Sequence, residues 1–550
     1  MQKRQVYIVC GQVQGVGFRP FIYREAERLG LTGNVRNTPE GVRIEVQGSE
    51  ESLADFSEFA SRLPPLARIS SLKISGAPLA ASEKEFCILH SSEGMHKGHA
   101  VLVSPDVAPC PRCLEDMADP SDRRFGYAFT NCTDCGPRYT ITRSIPYDRP
   151  VTSMACFRMC GSCMKEYHDP GSRRFHAQPN ACPDCGPMLW LQRAGHDSKT
   201  GGMQQSPPFR RLLNHGADEA EASGKAAVLL LLEELRRGSI AAIKGLGGFH
   251  LVCDAFNEKA IALLRERKRR PHKPLAVMTA SLESAAGLAD IGNDGGSARR
   301  LLESPARPIV ICPRLNLPDI LAPDTADIGL MLPSTPLHYL LFHPEWCGGS
   351  AKEAPRALVM TSGNPHGAPL CLGNREAFKR LSGMADVFLF HDRDILVRVD
   401  DSVLFPARPE HGMAMPLTVR RARGYTPSPL RLAALEGLGA DSSVFAAGAE
   451  LKSTFCLTRG AEAFLSQHIG DAGNAECMDF YRGTLRHMLS LLEVNPCLAV
   501  RDLHPDYPSS LLAEEFAMQR GIALEALQHH AAHICAVMAE HGMAHPVIGL

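Results

Sequence analysis

Four Cys-x-x-Cys pairs lie within residues 110–185 and are the strongest chemical signal in the sequence. The spacing of 18 residues between the first two pairs recurs between the third and the fourth. Two thiolates three residues apart chelate one metal ion, and two such pairs complete the closed tetrahedral coordination of structural zinc. The spacing therefore predicts two four-cysteine zinc sites. The eight ligands are Cys110, Cys113, Cys132, Cys135, Cys160, Cys163, Cys182 and Cys185.

The two halves of this cysteine region are copies of each other. A shift of 50 residues places Asp119-Pro120 on Asp169-Pro170 and Arg123-Arg124-Phe125 on Arg173-Arg174-Phe175. Such a match indicates an internal duplication. We expect each zinc ion to be bound within one repeat, although the spacing also allows pairs exchanged between the repeats. Paired arginines more often form a solvated face or local salt bridges than phosphate contacts. We therefore expect no nucleic acid partner.

A glycine-rich turn joins the first predicted strand to the first predicted helix. Its glycines allow the backbone N–H groups to face one anion at the start of the helix. The arginine at the end of the turn adds a permanently charged, bidentate contact. A plain strand-to-helix turn is the alternative that a glycine-rich turn alone leaves open. The predicted phosphate-binding residues are Gln14, Gly15, Val16, Gly17 and Phe18, with Arg19 beside them.

Basic and small polar residues follow a second pattern between residues 268 and 364. Lys268, Arg270 and Lys273 precede a predicted buried strand, and Ser362 and Asn364 end another. Positive charge at one strand and hydroxyl and amide groups at the other favour a polyphosphate ligand. A solvated basic surface is the alternative.

Two histidines near the end of the chain have the spacing of a metal-binding pair. His529 and His533 are four residues apart, so they share one face of a predicted helix and can chelate one divalent metal ion. Two surface histidines with no ligand are an equally simple interpretation of this spacing.

The elements that must position these residues fall into several domains. A chain of 550 residues is too long for one hydrophobic core. The first ninety residues follow the order β-α-β-β-α-β with an extra short strand, which predicts a ferredoxin-like sandwich. From residue 226 helical and strand patterns alternate, which predicts an α/β domain. Residues 191–225 are polar and rich in Gly, Ser and Pro, and indicate a linker or surface excursion.

The composition excludes several classes of protein. The 59 Lys and Arg residues balance 60 Asp and Glu residues, so no global field attracts nucleic acid or anionic membrane. No apolar stretch has the length of a membrane span, and the first residues do not resemble a signal peptide. The scattered cysteines outside the four pairs suit reduced thiols. We therefore expect a cytoplasmic protein without a membrane partner.

Residues 5–90 resemble the acylphosphatase family in the strings GQVQGVGFR and GLTGNVRNTPEGVRIEVQG. The resemblance implies that Arg19 binds the phosphate and that Asn37 orients the attacking water. Enzymes of this family cleave a carboxylic–phosphoric anhydride by positioning and charge stabilisation, without a metal or a covalent intermediate.

The strings KRRPHKPL, TSGN and DDSV, within residues 226–425, resemble the YrdC family. This family forms acyl-adenylates from ATP and a carbamate. The resemblance implies that Lys268, Arg270, Ser362 and Asn364 contact the nucleotide or the carbamate. We expect Mg²⁺ to accompany ATP, because a triphosphate needs a hard cation.

GAELKSTFCL, LSQHIGDAG and VRDLHPDYPSS resemble the start of the actin-like ATPase fold found in the tRNA threonylcarbamoyltransferase family. The family motif HHHAH matches His529 and His533 at its outer positions, whereas Ala531 stands at the centre. Since the family continues with a second lobe, we expect these residues to form only the first part of the fold and the chain to be a piece of a longer protein. We expect a complete domain to bind a divalent metal at the histidine pair.

The order of these parts resembles the carbamoyltransferase family of [NiFe]-hydrogenase maturation. The resemblance implies hydrolysis of carbamoyl phosphate, activation of carbamate by ATP to carbamoyl-adenylate, and transfer of the carbamoyl group to the C-terminal cysteine of HypE. We expect the last step to be lost in this chain. The predicted parts are an acylphosphatase-like domain (1–91), a duplicated zinc-finger domain (104–190), the polar linker (191–225), a YrdC-like α/β domain (226–428) and the first part of an actin-like domain (440–550).

Two other functions remain open at this stage. A threonylcarbamoyl-adenylate synthase of tRNA modification would use the last two domains but has no use for an acylphosphatase. A zinc-containing RNA-binding protein would bind double-stranded RNA with a steep salt dependence and turn over no ATP.

Overall fold

A computed structural model of the chain describes residues 2–549, apart from 39–40, 65, 82, 90–100, 195–219, 410–411, 433–438, 440–441 and 544. Most of the predicted linker lies outside the described residues. Among the described helices, none combines the length and the apolar character that crossing a membrane requires.

The first domain is the predicted ferredoxin-like sandwich. Its sheet has the order β4-β1-β3-β2-β5, and β1 is antiparallel to both β3 and β4. Alternate residues of the strands, such as Tyr7 and Ile44, pack against Phe18 and Ile22 of the first helix. The elements are β1 (Gln2–Gln14), the helix Phe18–Arg28, β2 (Thr32–Thr38), β3 (Gly41–Ser49), the helix Glu50–Ser57, β4 (Arg68–Ala77) and the extra short strand β5 (Phe86–Ile88).

The zinc-finger domain has little regular structure. Strand β6 (Val101–Val103) pairs in parallel with β1 and so connects the zinc-finger domain to the sheet of the first domain. The helices Pro111–Ala118 and Gly161–His168 begin directly after Cys110 and Cys160, the first cysteine of each repeat. Each repeat therefore has the same local fold, as the duplication in the sequence requires.

The middle domain is built on an 11-stranded mixed sheet in the described part of the chain. Its strand order is β17-β16-β12-β13-β11-β14-β10-β9-β15-β7-β8. The strands are β7 (Leu189–Arg193), β8 (Ala222–Ser223), β9 (Ala241–Lys244), β10 (Phe249–Asp254), β11 (Ala276–Met278), β12 (Ile309–Pro313), β13 (Asp327–Met331), β14 (Leu358–Ser362), β15 (Val387–His391), β16 (Val403–Phe405) and β17 (Leu417–Arg420). The helices are Gly224–Arg236, Glu258–Lys268, Leu282–Ala286, Ser297–Glu303, Pro336–Phe342 and Asn374–Leu381.

One strand near the predicted boundary between the zinc fingers and the linker pairs with the middle sheet. Leu189–Arg193 forms five antiparallel pairs with β15, so the end of the predicted zinc-finger domain and the start of the predicted linker contribute a strand to the middle sheet. Ala222–Ser223 returns to pair with it at the sheet edge. Trp190 explains the placement, because its ring packs against Phe390 with centroids 5.8 Å apart.

The last region forms a second α/β unit around its own core. Its sheet has the order β18-β21-β20-β19-β22-β23, and β19, β22 and β23 are parallel. The elements are β18 (Leu430–Arg431), β19 (Val444–Ala446), β20 (Cys456–Arg459), β21 (Glu462–Leu465), the helix Ala475–Leu492, β22 (Leu498–Asp502), the helix Pro508–Arg520, β23 (Ala523–Leu527) and the helix His529–Glu540.

Candidate catalytic and metal sites

The glycine-rich turn has the backbone conformation of an anion site. Strand β1 ends at Gln14, the helix begins at Phe18, and Gly15 and Gly17 have φ angles of 70° and 73°. This left-handed conformation is costly for residues with a Cβ atom, which explains why glycine stands at both positions. The sequence-predicted residues therefore lie together at the start of the first helix.

Buried polar groups accompany this turn. Arg19 is 8% exposed, and its Nη2 forms an ion pair with Asp148 Oδ1 at 3.2 Å. Asn37 on β2 is fully buried, and neither atom of its amide has a hydrogen-bond partner among the described residues. The two polar atoms of the buried Gln14 amide also have no hydrogen-bond partner among the described residues. Leaving a buried amide unpaired costs about 1–3 kcal/mol per group, so these atoms are suited to bind water or a substrate.

The zinc fingers form one wall of this site, which the sequence analysis did not predict. Arg138 Nε donates to Gly15 O at 2.5 Å, while its Nη2 donates to Thr133 O at 2.9 Å. A Cβ atom at Gly15 would lie 3.1 Å from the ring of Tyr147. The cavity beside Arg19 is thus lined from both domains. No local signal in the sequence links residues that are more than a hundred positions apart.

Each repeat gathers its own four cysteines, which favours zinc ligation within a repeat over the exchanged pairs that the spacing left open. Within a cluster the four sulfur atoms all lie within 4.8 Å of one another. In the first cluster, Cys110–Cys132, Cys132–Cys135 and Cys135–Cys113 are separated by 3.7, 3.7 and 3.6 Å. Four sulfurs at about 2.3 Å from a tetrahedral zinc ion would be separated by about 3.8 Å. The donor sets therefore fit zinc.

The second cluster has the same geometry. Cys160–Cys182 and Cys182–Cys185 are 3.7 and 3.8 Å apart, and Cys185–Cys163 are 3.5 Å apart. When bound, the zinc ions would hold together segments that have few apolar side chains of their own.

The paired arginines lie in the interface between the repeats. Arg124 of the first repeat is 1% exposed and donates to Glu166 of the second at 2.6 Å. Arg174 of the second repeat is buried and forms an ion pair with Asp116 of the first. Of the two arrangements expected for the paired arginines, a solvated face or local salt bridges, these two residues form local salt bridges. Burial raises the pKa of Glu166, but the neighbouring arginines lower it by more, and the net result is a pKa of about 2.

The middle domain brings together the basic residues and the Ser-x-Asn string. Lys268 is 5% exposed, and its Nζ donates to Ser362 O at 2.5 Å and to Asn364 Oδ1 at 2.9 Å. Arg270 Nη1 lies 3.4 Å from Oγ1 of Thr361, which precedes Ser362 on β14. Burial lowers the pKa of Lys268 to about 7 and that of Arg270 to about 10, and it lowers the pKa of Lys273 as well. A cluster of cations with lowered pKa values is suited to an anionic ligand.

A buried network of charged side chains lies next to the end of β14. His250 on β10 is the register partner of Ser362, and its Nε2 lies 2.9 Å from Asp401 Oδ2. Arg423 Nε donates to Asp401 Oδ1 at 2.7 Å and, with His250, holds the pKa of that carboxyl well below its usual range, although burial opposes them. Asp401 lies in the string DDSV of the YrdC resemblance, but no pattern in the sequence connects that string to His250.

The histidine pair is exposed and well oriented. His529 and His533 approach each other with their Nε2 atoms 3.2 Å apart, and His529 Nδ1 lies 2.6 Å from Asp502 Oδ2. Two imidazole nitrogens at about 2.0–2.1 Å from one metal ion would have a similar separation. The arrangement fits a divalent metal, which remains a prediction.

Comparison with known proteins finds a family for each part of the chain. The family profiles described as "Acylphosphatase" and "HypF finger" match residues 5–88 and residues 110–142 and 159–192. The profiles described as "Telomere recombination" (Sua5, YciO and YrdC) and "HypF Kae1-like domain" match residues 233–413 and 439–540. The fold and the sites define a multidomain protein with acylphosphatase, four-cysteine, YrdC-like and partial Kae1-like parts.

Relatives of the whole arrangement identify the family. The chain is 48% identical to carbamoyltransferase HypF2 of Cupriavidus necator, and the match covers 98% of this chain and 64% of the relative. It superposes with a TM-score of 0.85 on a crystal structure of full-length HypF in a phosphate- and nucleotide-bound form, at 36% identity, covering 100% of this chain and 66% of that one. The chain also superposes on a crystal structure of T. kodakarensis HypF with a TM-score of 0.82, at 37% identity, covering 99% of this chain and 64% of that one. The chain belongs to the HypF carbamoyltransferase family and spans about two thirds of the length of these relatives.

Proposed function

We propose that this chain hydrolyses carbamoyl phosphate in its first domain and activates the released carbamate with ATP in its middle domain. In the first reaction water attacks phosphorus, the bond to the acyl oxygen breaks, and carbamate and phosphate form. In the second, a carbamate oxygen attacks the α-phosphorus of ATP, and pyrophosphate leaves. The product is carbamoyl-adenylate.

The first reaction is assigned to Arg19 and Asn37. The guanidinium of Arg19 and the N–H groups of the turn Gly15–Gly17 would neutralise the phosphoryl oxygens as charge develops. The Asn37 amide, whose two polar atoms have no partner in the described part of the chain, would hold the attacking water.

The second reaction is assigned to the cluster around Lys268. A triphosphate would place negative charge next to Lys268, Arg270 and Lys273, whose cationic forms burial disfavours. The Ser362 hydroxyl donates to Asn364 Oδ1 at 2.7 Å, which fixes both side chains at the end of β14. Mg²⁺ would screen the charge of the triphosphate when bound.

Transfer of the carbamoyl group to the C-terminal cysteine of HypE is the third reaction that we propose for the family. A preparation of these 550 residues is expected to accumulate carbamoyl-adenylate and to leave HypE unmodified, since the chain spans only part of its relatives. Carbamoylation of HypE at the rate of a full-length relative would contradict this expectation.

The observation that carries the proposal is that one chain contains both a glycine-rich turn with the conformation of an anion site beside Arg19 and a buried cationic cluster at Lys268. The test is pyrophosphate release from ATP with and without carbamoyl phosphate. We expect strict dependence on carbamoyl phosphate in the wild type and loss of release in Arg19→Ala. Arg24→Ala removes an exposed arginine from the same helix and should behave as wild type. Release that ignores carbamoyl phosphate or requires threonine would overturn the proposal.

A further inference from the structure

The zinc-finger domain supplies a buried arginine that reaches the glycine-rich turn of the first domain. Arg138 follows the second Cys-x-x-Cys pair by three residues and is 2% exposed. Its Nε donates to the carbonyl oxygen of Gly15 at 2.5 Å, across 123 positions of the sequence. The turn is therefore in direct contact with a side chain from another domain.

The guanidinium of Arg138 is held in place by the backbone of its own repeat. Its Nη1 donates to Pro137 O at 2.8 Å. Its Nη2 donates to Thr133 O at 2.9 Å and to Cys132 O at 3.3 Å. The backbone N–H of Arg138 donates to Asp106 Oδ1 at 2.7 Å, which fixes the start of the side chain as well. Since the five N–H groups of a guanidinium form a rigid planar fork, these contacts fix the direction of the Nε–H that reaches the turn.

The carbonyl group of Gly15 determines where the next N–H group points. The peptide bond is planar and trans, so its C=O and its N–H point in opposite directions. Holding the Gly15 oxygen at Arg138 therefore directs the Val16 N–H away from Arg138. Glycine adopts many backbone conformations at little cost, and Gly15 and Gly17 both have positive φ angles. A turn of this composition needs an outside contact to keep one orientation of the peptide.

The zinc fingers also pack directly against both glycines of the turn. A Cβ atom at Gly15 would lie 3.1 Å from the ring of Tyr147, and a Cβ atom at Gly17 would lie 2.7 Å from Asp134 Oδ1. The guanidinium of Arg138 lies 5.9 Å from the centroid of the Tyr147 ring, so these contacts belong to one packed group. The shape of the turn therefore depends on the zinc-finger domain as well as on the first domain.

The positive charge of Arg138 faces the same cavity as that of Arg19. Both side chains line a cavity with an open-mouthed volume of about 340 Å³. Arg19 shares its charge with Asp148, whereas the hydrogen bonds of the Arg138 guanidinium go to carbonyl oxygens. Within the part of the chain that the structure describes, no carboxylate oxygen lies within 4.0 Å of that guanidinium. A buried cation that is paired only with dipoles favours an anion beside it.

We propose that Arg138 is a positioning residue of the acyl phosphate site. It acts through the peptide between Gly15 and Val16, whose N–H it keeps directed at the phosphoryl group, and so prepares the turn for the anion before the anion binds. The site is then complete only when the first zinc-finger repeat is folded against the first domain. This inference rests on the function proposed above for Arg19 and the turn, and it adds a residue from a second domain to that site.

The first test is the KM for phosphate release from carbamoyl phosphate. We expect Arg138→Met to raise KM at least tenfold with a smaller change in kcat, because the turn binds the anion while Arg19 and Asn37 remain. Arg138→Lys should also have a raised KM, since one ammonium group keeps the charge but does not reproduce the fork. Arg143→Met removes an exposed arginine of the same repeat and should behave as wild type. A wild-type KM in folded Arg138→Met, or full recovery in Arg138→Lys, would overturn the positioning role.

The second test needs no substitution and so stands even where a variant does not fold. Saturating inorganic phosphate is the probe, and hydrogen exchange of the Val16 amide in the unsubstituted chain is the measurement. We expect phosphate to slow this exchange at least tenfold, and unchanged exchange would overturn the proposal. If the wild type did not hydrolyse carbamoyl phosphate, the proposed function would fail, whereas the protection of Val16 by phosphate would still decide whether the turn is directed at an anion.

Discussion

Arg123 of the first zinc-finger repeat donates to Cys163 of the second, with Nη2 3.3 Å from the Sγ atom. The equivalent contact runs the other way, because Arg173 Nη1 lies 3.5 Å from Cys113 Sγ. The duplication has therefore produced two clusters that each place an arginine against a metal ligand of the other. A cationic donor next to a thiolate stabilises the charged form that binds zinc.

Arg124→Met is expected to destabilise the protein by about 2 kcal/mol. The substitution removes one of the two arginines that contact half-buried Glu166, since Arg123 Nη2 stays 2.5 Å from the same oxygen, and it also removes the donor to buried Asn180 Oδ1. The measurement is the free energy of unfolding in denaturant with zinc present. Arg112→Met removes an exposed arginine and should change this free energy by less than about 0.5 kcal/mol. Equal effects from the two substitutions would show that the contact between the repeats adds no stability.

The motifs made the residues of each site predictable, but not the contacts between sites. The spacing of the cysteines was enough to define both clusters, and the strings around Lys268 and Asn364 did meet at one place, with 2.9 Å between Nζ and Oδ1. In contrast, the wall that Arg138 and Tyr147 form beside Gly15 depends on tertiary packing between distant segments. Such packing follows no short-range periodicity, so a single sequence does not reveal it.

Asn37→Ala is expected to separate activity from stability. The amide atoms have no partners within the described residues, so their removal should change the free energy of unfolding by less than about 1 kcal/mol. The rate of phosphate release from carbamoyl phosphate should fall at least tenfold if the amide orients the attacking water. Asn34→Ala is the control, because Asn34 is also a buried amide on the same strand. It stands three residues before Asn37, and since side chains alternate along a strand, it lies on the other face of the sheet. Equal losses of activity in both variants would argue against a specific role for Asn37.

The affinity for ATP is expected to decrease as the pH rises above about 7. Burial lowers the pKa of Lys268 to about 7, so the free protein loses this positive charge above that pH and must take up a proton to bind the triphosphate with full strength. The dissociation constant of a non-hydrolysable ATP analogue should rise by up to about tenfold per pH unit between pH 7 and 9. Lys268→Met should bind more weakly and lose this pH dependence, whereas Lys259→Met, an exposed lysine on the same helix, should keep it. A pH-independent affinity in the wild type would exclude Lys268 as the titrating contact.

The pair His529 and His533 is expected to bind a divalent transition metal through its two Nε2 atoms. Asp502 accepts the Nδ1 proton of His529 at 2.6 Å, so the other nitrogen of that ring carries the lone pair directed at His533. Binding of Co²⁺, followed by its visible absorption, should be weakened at least tenfold in His533→Ala. His530→Ala removes an exposed histidine of the same helix that takes no part in the 3.2 Å contact, and it should bind as wild type. Since the eight cysteines also bind cobalt, the titration must be made with both clusters filled with zinc. Unchanged binding in His533→Ala under these conditions would show that the two histidines do not share a metal ion.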